Sequence, residues 1–264
     1  MRKYIIVISS IIICMMCFSC EKEIGFNYVD IDPILVIEGA LTQNGINVSL
    51  TMTTPMDEPM NRTHITDATV SVTDITTAQK YILYPDTEGI YTSDLQGIES
   101  HTYVLEVMRD GKKYTAECTM GYLAEITDME FSWIKMPYDE VAALQVTFRD
   151  NPDFNEDYYW IRLYRNGEAY KWAEIQDAHA INGYVDKVFM TTRMDIEEED
   201  EDDLLLNGDI ITATVVPVSK EMHTYLEALS VGNSNGPEMF EGDFCLGYFL
   251  AAPISSSEIT FYRP

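Results

Sequence analysis

Ile46, Val48, Leu50 and Met52 alternate with Asn47, Ser49, Thr51 and Thr53, so an extended backbone gives residues 46–53 one apolar face and one polar face. Wound into a helix, the same residues would scatter their apolar side chains around the axis. The pattern recurs in ATVSVTD, KYILY, GIYTS, TYVLEVM and KYTAECT, separated by turns rich in Asp, Pro and Gly. Turn signals at intervals of roughly 8–12 residues are the rhythm of an antiparallel sandwich. The expectation is an all-β chain whose first sandwich occupies residues 33–120.

A second β-rich unit is expected over 126–264, with strands in ITDMEFSW, VAALQVTF, DYYWIRLYR, EAYKWAEI, GYVDKVFM, DIITATVVPV, FCLGYFL and SSEITFY. One helix interrupts it near 220–231, where Ser219 is a cap and Met222, Tyr225, Leu226 and Leu229 share a face. Between DYYWIRLYR and EAYKWAEI stands Asn166-Gly167, the strongest two-residue hairpin signal, because both positions tolerate positive φ. A regular hairpin there pairs Arg165 with Glu168, Leu163 with Tyr170 and Ile161 with Trp172. Tyr159, Ile161, Leu163, Tyr170 and Trp172 then form the core face. Tyr158, Trp160, Arg162 and Tyr164, beside Lys171, form the other. Aromatics next to cations on an acidic protein make these five the candidate binding face for a sugar ring, a peptide or a protein surface. A central strand buried on both sides reads the same way. In the first sandwich, Gly97–Val107 resembles the lead-in to a strand of immunoglobulin-like modules, where a tyrosine ties loop to strand. The first sandwich is therefore expected to be immunoglobulin-like.

The amino terminus has a different grammar. Arg2 and Lys3 precede YIIVISSIIICMMCFS, a run without charge that is short for a bilayer span, and small Ser19 precedes Cys20. Residues 1–19 read as a signal peptide. Cys20 reads as the acylated first residue of a lipoprotein, an ordinary cleaved signal being the alternative, and residues 20–32 as a tether. Cys14, Cys17 and Cys20 have the spacing of an iron–sulfur loop, but the fourth thiolate and the polar frame are lacking. No cofactor is expected. Of the remaining cysteines, Cys118 and Cys245, sequence leaves both a bridge and two free thiols open.

The chain carries a formal charge of −27, or −29 once Arg2 and Lys3 leave with the signal. Nucleic acid is excluded as a partner on that ground, since phosphate contacts rest on Lys and Arg. Anionic headgroups are repelled too, so membrane attachment falls to the lipid on Cys20. Catalytic constellations are not evident: there is no H-E-x-x-H, no G-x-S-x-G and no phosphate loop. His64, His101, His179 and His223 lie far apart, and His223 reads as a surface residue of the helix. DIEEEDEDD (195–203) is read as a solvated, self-repelling loop rather than a calcium site, because it lacks spaced ligands and a turn glycine. DNPDFNED (150–157) is oxygen-rich in the same loose way. No metal site is assigned.

Several stretches in order, CEKEIGFNYVDIDPILVIEGALT (20–42), DATVSVTD (67–74), DYYWIRLYRNG (157–167), GDIITATVVPVSKEMHTYLEAL (208–229) and above all GDFCLGYFLAAPISSSEITFYR (242–263), resemble the domain-of-unknown-function 4249 family of Bacteroidetes-type lipoproteins. Cys20 matches the family's lipidation position. The resemblance implies an exported, outer-membrane-anchored lipoprotein, often encoded beside TonB-dependent receptors, and carries no catalytic residues. Glu21 and Glu23, directly after Cys20, resemble that group's surface-export signal. The expected function is a non-enzymatic accessory or ligand-binding partner of such a receptor, exposed at the cell surface. A structural or adhesive surface lipoprotein is the alternative, and a hydrolase with an unrecognised site a third. The ligand has no signature in the sequence.

Overall fold

Alternation becomes strand wherever an apolar face finds a partner. The computed structural model describes residues 32–54, 63–135, 137, 140–151, 157–177, 182–193, 204–232 and 236–262. The leader, Cys20, Glu21 and Glu23, His179 and the acidic run 195–203 lie outside these residues, as do 152–156. The first strands are β1 (Leu35–Thr42), β2 (Gly45–Met52), β3 (Thr63–His64), β4 (Thr69–Asp74), β5 (Gln79–Pro85), β6 (Ile90–Ser93), β7 (Thr102–Arg109) and β8 (Lys112–Thr119). After them come β9 (Ile126–Lys135), β10 (Glu140–Arg149), β11 (Asp157–Arg165), β12 (Glu168–Asp177), β13 (Tyr184–Arg193) and β14 (Ile210–Val218). Helix α1 (Lys220–Val231) precedes β15 (Glu241–Gly242), β16 (Leu246–Ala251) and β17 (Ser255–Thr260). The all-β sandwich expected from the alternation is the observed fold.

In the first sheet the strand order is β15-β8-β7-β4-β5-β6-β2-β1-β16, with β3 on β2. Its two halves face each other: a Cβ on Gly39 of β1 would stand 3.2 Å from Leu105 of β7. Ile37, Val48, Leu50, Val72, Tyr91 and Tyr103 fill the space between. The loop-to-strand tie is present, with the Tyr103 hydroxyl accepting the Ile98 N–H at 2.9 Å.

A second core lies between β13-β10-β9 and β12-β11-β14-β17. Leu144, Phe148, Tyr159, Ile161, Leu163 and Phe261 are fully or almost fully buried there. A separate unit over 126–264 is, however, corrected at one place. β16 returns to the first sheet and lies parallel to β1, Val36 opposite Leu246 and Leu41 opposite Ala251. Phe240, Cys245 and Phe249 join the first core. The physical reason is β1's outer edge, whose unpaired N–H and C=O groups would otherwise stand open. Gly247 permits the approach: its φ is +106°, and a Cβ there would meet the Ile37 carbonyl oxygen at 2.0 Å. Gln43 fastens the return, its amide bonding both the N–H and the C=O of Ile254 at 2.9 and 2.8 Å.

Helix α1 forms where its cap predicts. Ser219 Oγ accepts the Met222 N–H at 3.2 Å, and Gly232 closes the helix in the left-handed region at φ 67°. Met222, Tyr225 and Leu226 are buried against the outer face of β11 and β14. His223 is buried as well, 8 % exposed, against the expected surface position. The helix lies close enough to β11 to bring the His223 ring 4.8 Å from that of Tyr158.

Candidate functional site

The hairpin at Asn166-Gly167 exists, with both residues at positive φ. Its register departs from the regular one. Arg165 pairs with Glu168 and Tyr164 with Ala169, then a β-bulge sets Leu163 opposite Lys171, Arg162 opposite Trp172 and Ile161 opposite Ala173. One extra residue reverses every later side chain. Trp172, expected in the core, is 41 % exposed and stands on the face of Trp160 and Arg162. Tyr170, Ala173 and Ile175 take the core side. Lys171 lies at the bulge opposite Leu163, its ammonium 5.2 Å from the Tyr170 ring centre.

The candidate binding face is therefore four of the expected residues plus Trp172, and its middle is covered. Trp160 packs against Val216, Leu250 and the helix residues Met222 and Leu226. The Arg162 guanidinium lies 4.3 Å over the Trp160 ring, and Tyr248 meets that ring edge-on at 6.0 Å. Burial pushes the Tyr248 phenol up to about 12, with Glu38 adding to the rise and Arg162 opposing it. Trp160 Nε1, Arg162 Nε and Thr214 Oγ1 are buried without a hydrogen-bond partner among the described residues. Packing and the cation–π contact, rather than polar pairing, hold this face. Tyr164 stays half-buried toward the turn.

Tyr158 stands at the far end of that face, beneath the helix residue His223. It lines a cleft of about 530 Å³ formed where β8, the first residues of β11, the end of β14, the first turn of α1 and β16 converge. Met222, Met239, Phe249 and Leu250 give it an apolar floor, and Glu117, Asp157, Glu221 and Glu238 contribute carboxylates. Cys118 stands in its wall, accepting the Ala251 N–H at 3.2 Å. Burial pushes that thiol up, and Glu117 and Glu221 add to the effect against the Ala251 N–H. Cys245 is buried in the first core, its thiol pushed up to about 12 by burial and by Glu238. Both cysteines are free. On the Tyr122 side of the cleft, the Tyr122 hydroxyl bonds that of Tyr159, which donates to Asp150 Oδ1 at 2.7 Å. Burial raises both phenols well above the ordinary tyrosine value.

Sequence reasoning found Tyr158 and missed the rest of the cleft. Its lining comes from stretches between residues 116 and 251 that share no periodicity, so no local pattern marks it. Among the described residues no group of three or more His, Cys, Asp or Glu is placed to hold a metal. No described helix is long and apolar enough to cross a membrane. No family model matches this chain, and no curated protein matches it.

Proposed function

We propose that this chain is an exported lipoprotein, held at the outer membrane by lipid on Cys20, that captures a ligand as a non-enzymatic partner of a TonB-dependent transport receptor. The observation that carries the reading is the cleft: about 530 Å³ lies within the roughly 300–1,000 Å³ range of small-molecule sites. It combines an apolar floor with a few polar groups, the composition such sites use. Burial keeps the Cys118 thiol protonated, which suits packing rather than nucleophilic attack. Export and anchoring rest on Arg2, Lys3, the uncharged run and Cys20, and surface exposure on Glu21 and Glu23. The receptor rests on the resemblance to the domain-of-unknown-function 4249 family. An immunoglobulin-like first sandwich belongs to the same reading, supported by the tie between Tyr103 and Ile98.

The test is purification of the full-length chain from detergent-solubilised membranes of its own cells, alongside Cys20→Ala. Co-purification of a receptor barrel with the wild type, and release of the variant from membranes or its retention as a precursor, are the expected results. A variant that matures and fractionates like wild type overturns the anchor. A wild-type preparation without a receptor overturns the transport role.

A further inference from the structure

The cleft has a sign. Four separate segments deliver a carboxylate to it: Glu117 from β8, Asp157 from β11, Glu221 from the first turn of α1, and Glu238 from the loop before β15. No Lys, Arg or His is among its described lining residues. Carboxylates are common on so acidic a protein. What sets these apart is convergence on one concavity with an apolar floor of Met222, Met239, Phe249 and Leu250. The opposing charge is small. The amino terminus of α1 brings about half a positive charge, but Ser219 Oγ already accepts one of its N–H groups and Glu221 stands in that first turn. Among the described lining residues, an anion would face the carboxylates of Glu117, Glu221 and Glu238 against that half charge, before Asp157, which has a partner of its own, is counted. A cation with an apolar body meets both features, and Tyr122 and Tyr158 in the wall add aromatic surface of the kind that attracts ammonium groups.

We propose, resting on the reading of the cleft as the ligand site, that its ligand is a small organic cation: an ammonium group carried on an apolar body. The head lies among the carboxylates and the body against the methionines and Phe249. This selects against anionic nutrients of the same size.

Three probes sharing one body separate charge from shape: phenethylammonium, 2-phenylethanol and phenylacetate, each titrated calorimetrically into the full folded chain. Phenethylammonium should bind about tenfold more tightly than the alcohol, the scale expected of partly screened charge pairs, and phenylacetate more weakly than either. Raising salt from about 0.01 M to about 1 M cuts the screening length from about 30 Å to about 3 Å and should narrow the gap. Glu221→Gln combined with Glu238→Gln should bring ammonium and alcohol to within about twofold, since half the carboxylates are then neutral. Gly121→Trp serves as the plug. A Cβ at Gly121 meets only Pro217, at 3.6 and 3.8 Å, and its φ lies outside the strained positive range. Non-specific attraction to a chain of charge −27 would survive that substitution, whereas binding in the cleft would not. Thermal unfolding of each variant checks that it folds, and the double Gln variant decides the matter if the plug does not. Alcohol binding as tight as ammonium, and lost in Gly121→Trp, overturns the cation and leaves the cleft as a ligand site. Ammonium binding unchanged by both variants overturns the inference. No binding by any probe overturns the inference and the ligand-site reading together.

Discussion

Two tryptophans on one sheet face measure how far packing covers that face. Trp160 touches both the helix and the return strand, while Trp172 stands 41 % exposed at the hairpin's edge. Trp160→Ala should cost about 2–3 kcal/mol, somewhat below a fully buried aromatic because Trp160 is only partly buried, even with the loss of the ring beneath Arg162 included. Trp172→Ala should cost less than about 1 kcal/mol. Chemical denaturation of the two variants checks the order, and equal losses would contradict the bulged register. Asp209 is a second telling residue. Its carboxylate accepts from Arg165 Nε at 2.8 Å, Asn166 Nδ2 at 2.8 Å and the Leu206 N–H at 2.7 Å, so it bolts the hairpin turn to the approach of β14. Burial alone would raise its pKa, yet the Leu206 N–H, Asn166 and Arg165 together hold it below the usual carboxylate range. Asp74 is similar: burial raises it, and His101 with the Thr77 contacts more than reverses this. A carboxyl held low in the fold contributes stability that is complete above its unfolded pKa of about 3.9 and is lost as pH falls through the lower folded value. Stability should thus be insensitive to these groups above about pH 5 and decline below it. The acid decline should be shallower in Asp209→Asn, read as the urea midpoint against pH; the same slope as wild type would remove Asp209 from that role.

At the scale of elements, what the sequence makes legible is local. Strand alternation, the Asn166-Gly167 turn and the Ser219 cap each depend on residues a few positions apart, and each is found where expected. The bulge at Leu163/Tyr164 was not legible, because EAYKW reads as a regular strand in either register and only packing against the second core chooses Tyr170 over Trp172. His223 escaped for the same reason, since a helix lying in a corner buries more than one stripe. The cleft escaped more completely, being defined by gaps between elements rather than by any one of them. An element-scale prediction follows from β16. Gly247→Ala puts a methyl into the Ile37 carbonyl at a φ of +106° and should cost at least about 3 kcal/mol, the backbone strain alone being about 1–3 kcal/mol. Thermal unfolding of that variant beside Gly111→Ala, where φ is +76° but nothing lies within 4 Å, separates the clash from the strain.

For the molecule as a whole, the chain does not divide at residue 125. β15 and β16 complete the sheet that β1–β8 begin, so a fragment of residues 33–125 lacks Phe240, Cys245 and Phe249 from its core and leaves the β1 edge bare. Such a fragment should not fold alone, giving a poorly dispersed amide NMR spectrum, while residues 33–264 unfold in one cooperative step. A well-dispersed fragment spectrum would restore the boundary that the sequence suggests. The contacts that close the sheet are remote along the chain: Gln43 and Ile254 are 211 residues apart. Pairings of that span form late and fold slowly. At a synthesis rate of about 5–20 residues per second, the partner of β1 emerges roughly 10–40 s after β1 itself. Throughout that interval the strand offers an open edge to any extended chain nearby, so a newly made copy is most exposed to mispairing before its own carboxy-terminal strand arrives.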